Sequence, residues 1–228
     1  MPLQKLGNAW RLVRRHGIAS YAQSVYSTLY DARYEWRSGL DTSVHPDSPK
    51  AGAIEPDQTA YVPVPYAVLV PVLRRSGVGP SSHVVDFGCG AGRVLIAANS
   101  LGAASATGVE LDRTLVNRAR ANLDLIDAGN PRFQVIEMNA LAFEVPDDAT
   151  HAVFVRPFFG DTLRSVISAL SLSEAASRSH FSVVSFNYND EEFDTLAADA
   201  GWRQVDRDVG LSRTRWPVPW AIYETPGG

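Results

Sequence analysis

The stretch Val84–Ala98, VVDFGCGAGRVLIAA, decides how the rest of this sequence is read. A short apolar run containing Asp86 leads into Gly88, Gly90 and Gly92, and a second apolar run follows directly. The first run has the length and composition of a buried strand, the second those of a helix. Glycines at such a junction permit left-handed backbone and let a ligand approach bare main chain. The first N–H groups of the following helix have no partner inside it and can meet an anion. The same cluster would also serve as a plain tight turn, so its neighbours must decide between a turn and a binding loop.

Those neighbours alternate. The pattern predicts helices over 66–75, 93–101, 113–127, 161–170 and 191–200. It predicts strands over 84–87, 106–111, 133–138, 151–155 and 181–186, with 205–209 and 220–224 closing the sheet. Short strands alternating with helices of this length give an α/β fold, a mostly parallel seven-stranded sheet with helices on both faces. Ligands of such sheets bind outside the carboxyl ends of the strands, where the glycine cluster stands. Glu110 ends the second predicted strand about 20 residues further on, where a carboxylate can accept the hydroxyls of a ribose. Glycine loop and acidic strand end together indicate a nucleoside site. The spacing G-x-G-x-G differs from the dinucleotide pattern G-x-G-x-x-G because Arg93 holds its sixth position, which disfavours NAD.

Composition limits the alternatives. Apolar residues make up 45% and charged residues 20% of 228, the balance of a chain with a true core. The net charge of −4 argues against a nucleic-acid partner read by a wholly basic surface, and the single cysteine, Cys89, fits a reducing cytoplasm. No apolar run is long enough to span a membrane. No cluster of Cys, His, Asp and Glu has metal-ligand spacing, and Cys89 has no neighbouring base to activate it. His83, His151 and His180 fall at strand starts, away from the expected site; His16 and His45 lie in the N-terminal part.

Residues 1–60 form a helical N-terminal extension and a lid or linker, and 61–228 the main domain. The extension carries Lys5, Arg11, Arg14, Arg15, Arg33 and Arg37 against Asp31 and Glu35. Such a basic amphipathic segment either touches anionic lipid, RNA or an acidic partner, or presents a solvated face while packing on the domain. The following stretch, 38–61, is rich in Ser, Pro, Gly and Asp and has no periodicity, as expected of a linker or lid.

VVDFGCGAGRVLIAA resembles motif I of class I S-adenosylmethionine-dependent methyltransferases, TGVELD their acidic second motif, and VIEMNALAF the stretch after their third strand. The resemblance implies a Rossmann-like fold with S-adenosyl-L-methionine as cofactor. It implies that Asp86, Gly88, Gly90 and Gly92 hold the methionine part, Glu110 the ribose, and Asn139 with Ala140 the adenine. Asn139 replaces the common Asp, and its carbonyl still accepts from an amino group. AYVPVPYAVLVPVLRRSGV is similar to a segment of bacterial and ATP-synthase c-subunit lysine methyltransferases, in which Tyr61 would help close the site.

After the fourth strand, relatives place an Asn that accepts from an attacking amine, where this chain has Arg156 in VFVRPFFGD. Arginine has no acceptor, so it would instead clamp a carboxylate. Phe158 or Phe159 would lie against the sulfonium, or both would serve as core residues. Asn187 and Tyr188, just past the fifth strand, are the polar groups placed to meet a nucleophile. The expected function is methyl transfer to a nitrogen or oxygen of a protein side chain or small metabolite. The alternative is a cyclase or lyase acting on the cofactor's aminocarboxypropyl arm, with no external acceptor; a non-catalytic nucleoside-binding module is a third. The sequence leaves the oligomeric state open.

Overall fold

The computed structural model describes residues 18–45, 47–50, 52, 54–178, 180–186, 191–208 and 218–227. In chain order the elements are α1 (Ile18–Ser38), α2 (Tyr66–Arg75), β1 (His83–Phe87), α3 (Arg93–Ser100), β2 (Ser105–Glu110), α4 (Arg113–Asp127) and β3 (Phe133–Glu137). A short 3-10 turn (Ala140–Ala142) precedes β4 (His151–Val155). Then come α5 (Gly160–Ser171), β5 (Ser182–Phe186), α6 (Glu191–Asp199), β6 (Arg203–Asp208) and β7 (Trp220–Glu224).

Among the described residues the strands form one seven-stranded sheet in the order β3-β2-β1-β4-β5-β7-β6. The β1–β2, β2–β3, β1–β4 and β4–β5 pairs are parallel, and β7 runs antiparallel to both β5 and β6. The predicted α/β sheet is therefore the one formed. Its central strands are near-continuous apolar runs because they are covered on both faces: β5 is buried throughout, and β1 and β4 at all but one residue each. Edge strand β6 is mostly exposed, with a register shift between Gln204 and Asp206.

One face of the sheet packs against α2, α3 and α4 through Leu69, Leu73, Leu95 and Val116. The other packs against α5 and α6 through Leu163, Ile167 and Phe193, where Phe154 stacks on Phe87 with ring centroids 4.8 Å apart. The chain leaves β1 toward β2 on one side and returns from β3 to β4 on the other. That switch in direction opens a crevice beyond the carboxyl ends of β1 and β4.

Of the predicted N-terminal helical region, residues 18–38 form the single helix α1, and residues 1–17 lie outside the described residues. α1 rests on α2: the Tyr34 ring stacks on Tyr66 at 4.4 Å, and Tyr30 on Tyr34 at 5.8 Å. No described helix is long and apolar enough to cross a membrane.

Candidate functional site

The crevice is a cleft whose walls include Asp86, Gly88, Glu110, Asn139, Ala140, Pro157 and Phe158, the residues that follow or end β1, β2, β3 and β4. Its roof is the segment from Pro49 to Val64, including Glu55, Gln58, Thr59 and Tyr61.

The glycine loop is packed closely from two sides. Gly88 and Gly90 both have positive φ, +68° and +55°, which L-residues rarely adopt. A Cβ on Gly88 would overlap Pro157, and one on Gly90 would overlap the ring of Tyr61. The close approach these glycines allow is thus partly to the protein's own roof and to the post-β4 segment. Gly92 precedes α3, and its neighbour across the fold is Ala119 of α4.

Glu110, 7% exposed, binds this loop to the strand ends. One carboxylate oxygen accepts the Gly90 N–H at 2.9 Å, and the other accepts the N–H groups of Leu111 at 2.8 Å and Asp112 at 2.9 Å. Burial pushes its carboxyl above the ordinary range, with those backbone donors opposing the shift. Asp86, 1% exposed, differs: neither carboxylate oxygen has a hydrogen-bond partner among the described residues. Burial, reinforced by the nearby Glu110 charge, drives its pKa well above the ordinary carboxylate value. A buried acceptor facing a cleft with nothing to accept from is a place for a ligand donor, above all a cationic one.

Asn139 is the cap of the 3-10 turn, its side-chain oxygen accepting the Leu141 N–H at 2.9 Å. Phe158 lines the cleft and meets Phe154 edge-on at 6.3 Å, so it serves both wall and core. Tyr61 lies in the roof with its hydroxyl donating to the Thr42 carbonyl at 2.8 Å. Burial pushes that phenol up to about 12, so it remains protonated at neutral pH. Arg156 sits past the end of β4 in left-handed backbone, φ +41°. Among the described residues, Pro157 and Phe158 line the cleft at this turn and the Arg156 side chain does not. Asn187 and Tyr188 lie outside the described residues. His83 and His151 stand at the amino ends of β1 and β4, as expected, and no described group of His, Cys, Asp and Glu could hold a metal.

Arg93, which in the sequence marks only the departure from the dinucleotide pattern, has a larger part in the structure. It is 7% exposed, in the first turn of α3, and lines the cleft. Its guanidinium donates to Asp31 and Glu35 of α1 at 2.8 Å each, to the Thr42 hydroxyl at 2.7 Å and to the Val64 carbonyl at 3.0 Å. It also lies over the Tyr66 ring, 4.6 Å from the centroid. The extension is thereby fastened to the glycine loop's own helix. Asn122 of α4 adds a second tie, bonding both backbone groups of Asp41 and the Ala91 carbonyl. A signal existed: an arginine inside the apolar run RVLIAA must be partnered, and Asp31 and Glu35 sit four apart on one helix face.

The middle of the roof, residues 57–59, is fastened to the post-β4 turn. Thr59 donates its N–H to the Pro157 carbonyl at 3.1 Å and its hydroxyl to the Arg156 carbonyl. Gln58 bridges Phe158, and Asp57 accepts the N–H and hydroxyl of Thr162 in the first turn of α5, 3.1 Å each.

Comparison with known proteins places this geometry. A family model described as "Methyltransferase domain" matches residues 84–177. Over 60 residues, 26% of this chain, the sequence is 45% identical to a ribosomal protein L11 methyltransferase of Clostridium botulinum, of which the match covers 18%. The chain spans about a fifth of the length of the curated relatives it matches. Its fold is similar to that of a ribosomal protein L11 methylase from Lactobacillus delbrueckii, with a TM-score of 0.55 and 17% identity over 72% of this chain and 80% of that one. It is also similar to an RNA methyltransferase from Salinibacter ruber in complex with S-adenosyl-L-homocysteine, with a TM-score of 0.52 and 20% identity over 73% and 95%. The glycine loop and the acidic strand end both fall within residues 84–177, which match the methyltransferase-domain model, and the sheet belongs to a fold similar to that of the methyltransferases named above.

Proposed function

We propose that this chain is an S-adenosylmethionine-dependent methyltransferase acting on a nitrogen or oxygen nucleophile of a protein side chain, a small metabolite or an RNA. The observation that carries the reading is Asp86: a buried carboxylate on the cleft wall, both oxygens unpartnered, beside the glycine loop and Glu110. These residues fit the cofactor. Asp86 would accept from its ammonium group, and the Gly88–Gly90 backbone would lie along the methionine part. The carboxylate of Glu110 uses three acceptor sites on backbone and retains capacity for a ribose hydroxyl. Asn139 and Ala140 would border the adenine. When bound, S-adenosylmethionine supplies a methyl group on a sulfonium, whose departure as a neutral thioether needs little acid–base help.

The protein's part is then to orient and to keep water out. Tyr61 and Phe158 close the cleft from roof and wall, and the two fastenings of the roof hold them there. Asn187 and Tyr188 are the polar groups we assign to the acceptor side, and Arg156 stands at the turn after β4, next to the cleft-lining Pro157. The relatives' names include ribosomal protein L11 and RNA methyltransferases, so the expectation against a nucleic-acid acceptor has no support. The cyclase or lyase alternative finds none there either.

Calorimetry with S-adenosylmethionine, S-adenosylhomocysteine and NAD tests the site: binding of the two sulfur nucleosides and none of NAD is expected, and the reverse would overturn it. Incubation with S-adenosylmethionine and candidate acceptors should yield S-adenosylhomocysteine. Release of methylthioadenosine without any acceptor would overturn methyl transfer.

A further inference from the structure

Helix α1 has an inner and an outer face of opposite character. Inward, Tyr34 stacks on Tyr66, while Asp31 and Glu35 turn to the buried Arg93. Those are the only acidic residues of the helix, so none is left on its outer side. Outward, Val25, Leu29, Ala32 and Trp36 recur at i, i+4, i+7 and i+11, which puts them on one stripe. The stripe is open to solvent, with Leu29 65% and Trp36 87% exposed. Arg33 and Arg37, both exposed, flank it on one side. The sequence before the helix has the same sign: Lys5, Arg11, Arg14 and Arg15 occur there, and no acidic residue precedes Asp31.

We propose that this face of α1 docks on an anionic lipid surface. The occupant must bring negative charge for the arginines and an apolar medium for the stripe. A second copy of the chain would set arginines against arginines with no acid on the stripe to relieve them. Single-stranded nucleic acid would satisfy Trp36 and the arginines through stacking and phosphates, but offers nothing to Val25 and Leu29. An anionic bilayer surface offers all three: headgroup phosphates for Arg33 and Arg37, the interfacial zone for Trp36, and acyl chains for Val25 and Leu29. The helix lies along such a surface and does not cross it. The proposal is independent of the cleft and of the reaction assigned to it.

The test is co-sedimentation of the full chain with vesicles of phosphatidylcholine alone or of phosphatidylcholine with an equal share of phosphatidylglycerol. Binding to the mixed vesicles only, weakening as salt is raised, is expected. Leu29→Ser/Trp36→Ser should lose at least roughly tenfold in partitioning, because two apolar side chains no longer leave water. Arg33→Glu/Arg37→Glu should abolish the preference for the anionic vesicles. These side chains are exposed, so melting temperatures should stay at the wild-type value; were a variant to misfold, the lipid and salt dependence of the wild-type chain still decides. Absence of binding to the mixed vesicles would overturn the proposal, as would folded variants that bind like wild type. Binding of a single-stranded RNA oligonucleotide, or self-association in light scattering, lost in the same variants and without vesicle binding, would equally overturn it.

Discussion

The two walls of the cleft are built on different principles. The floor, from β1 through the glycine loop to Glu110, is made of residues close in sequence to one another and is held by backbone N–H groups on a buried carboxylate. The roof, from Pro49 to Val64, has no helix or strand among its described residues and is held by side chains that reach across the fold: Arg93 on the Val64 carbonyl, and Asp57 and Thr59 on the segment after β4. The floor fixes what kind of molecule can bind. The roof fixes whether it stays and whether water is kept away from it. Each wall can be broken separately, and the expected effects differ in size and in kind.

Arg93→Met should act most strongly. It leaves the Asp31 and Glu35 carboxylates without their cation, and breaking a buried pair from one side costs about 3–5 kcal/mol. The expected outcome is a lowered melting temperature with early proteolytic cleavage in the 40–60 segment. An unchanged melting temperature would show that the roof does not depend on Arg93.

Glu110→Ala comes next. A strand-end carboxylate contributes little packing and the fold should survive its loss, but three backbone N–H groups lose their acceptor, a loss on the order of 3 kcal/mol. Affinity for S-adenosylhomocysteine should fall at least roughly tenfold. Denaturant unfolding and calorimetry on the same protein should show both losses, whereas a loss of affinity alone would mean that the floor is held by other groups.

Asp86→Asn should separate stability from binding. A carboxyl whose folded pKa lies above its unfolded value takes up its proton earlier in the folded state as pH falls. Folding therefore gains stability as pH drops from neutral toward the ordinary carboxylate range, and loses it on the way back up. The Asn variant should melt no lower than wild type at neutral pH and should lose part of that pH dependence. Its affinity for the cofactor should nevertheless fall by about 1.5–3 kcal/mol, the value of a hydrogen bond to a charged group. A variant that binds as tightly as wild type would remove Asp86 from the site.

Asp57→Ala should have the smallest effect. It removes the carboxylate that satisfies the first turn of α5, about 1 kcal/mol for a lost cap. If the roof controls exchange, the cofactor's dissociation rate should rise more than its association rate. Equal changes in both would leave Asp57 as a helix cap and nothing more.

The contrast between the walls also explains what could be read in advance. Strands β1, β4 and β5 are short and mostly apolar, and the floor's glycines and Glu110 are local in sequence, so the strands were legible as a pattern and the floor from VVDFGCGAGRVLIAA and TGVELD. The roof was legible only as a segment without periodicity, because Thr59 and Asp57 find partners about a hundred residues further along the chain. Arg156 shows the same limit at one residue. Its place after β4 was evident, but its left-handed backbone and its absence from the cleft wall depend on the turn that Thr59 holds.

The exposed edge strand β6 has a consequence for how the protein behaves in company. A bare sheet edge is an invitation for another molecule's strand to pair with it. Here Arg203, Asp206, Arg207 and Asp208 place both signs of charge on that edge, and the register shift beside Asp206 interrupts its regular pairing pattern. An incoming strand would have to strip water from these charges and match an irregular ladder. At high concentration this rim resists growth into ribbons, a colloidal safeguard for a chain whose net charge is only −4.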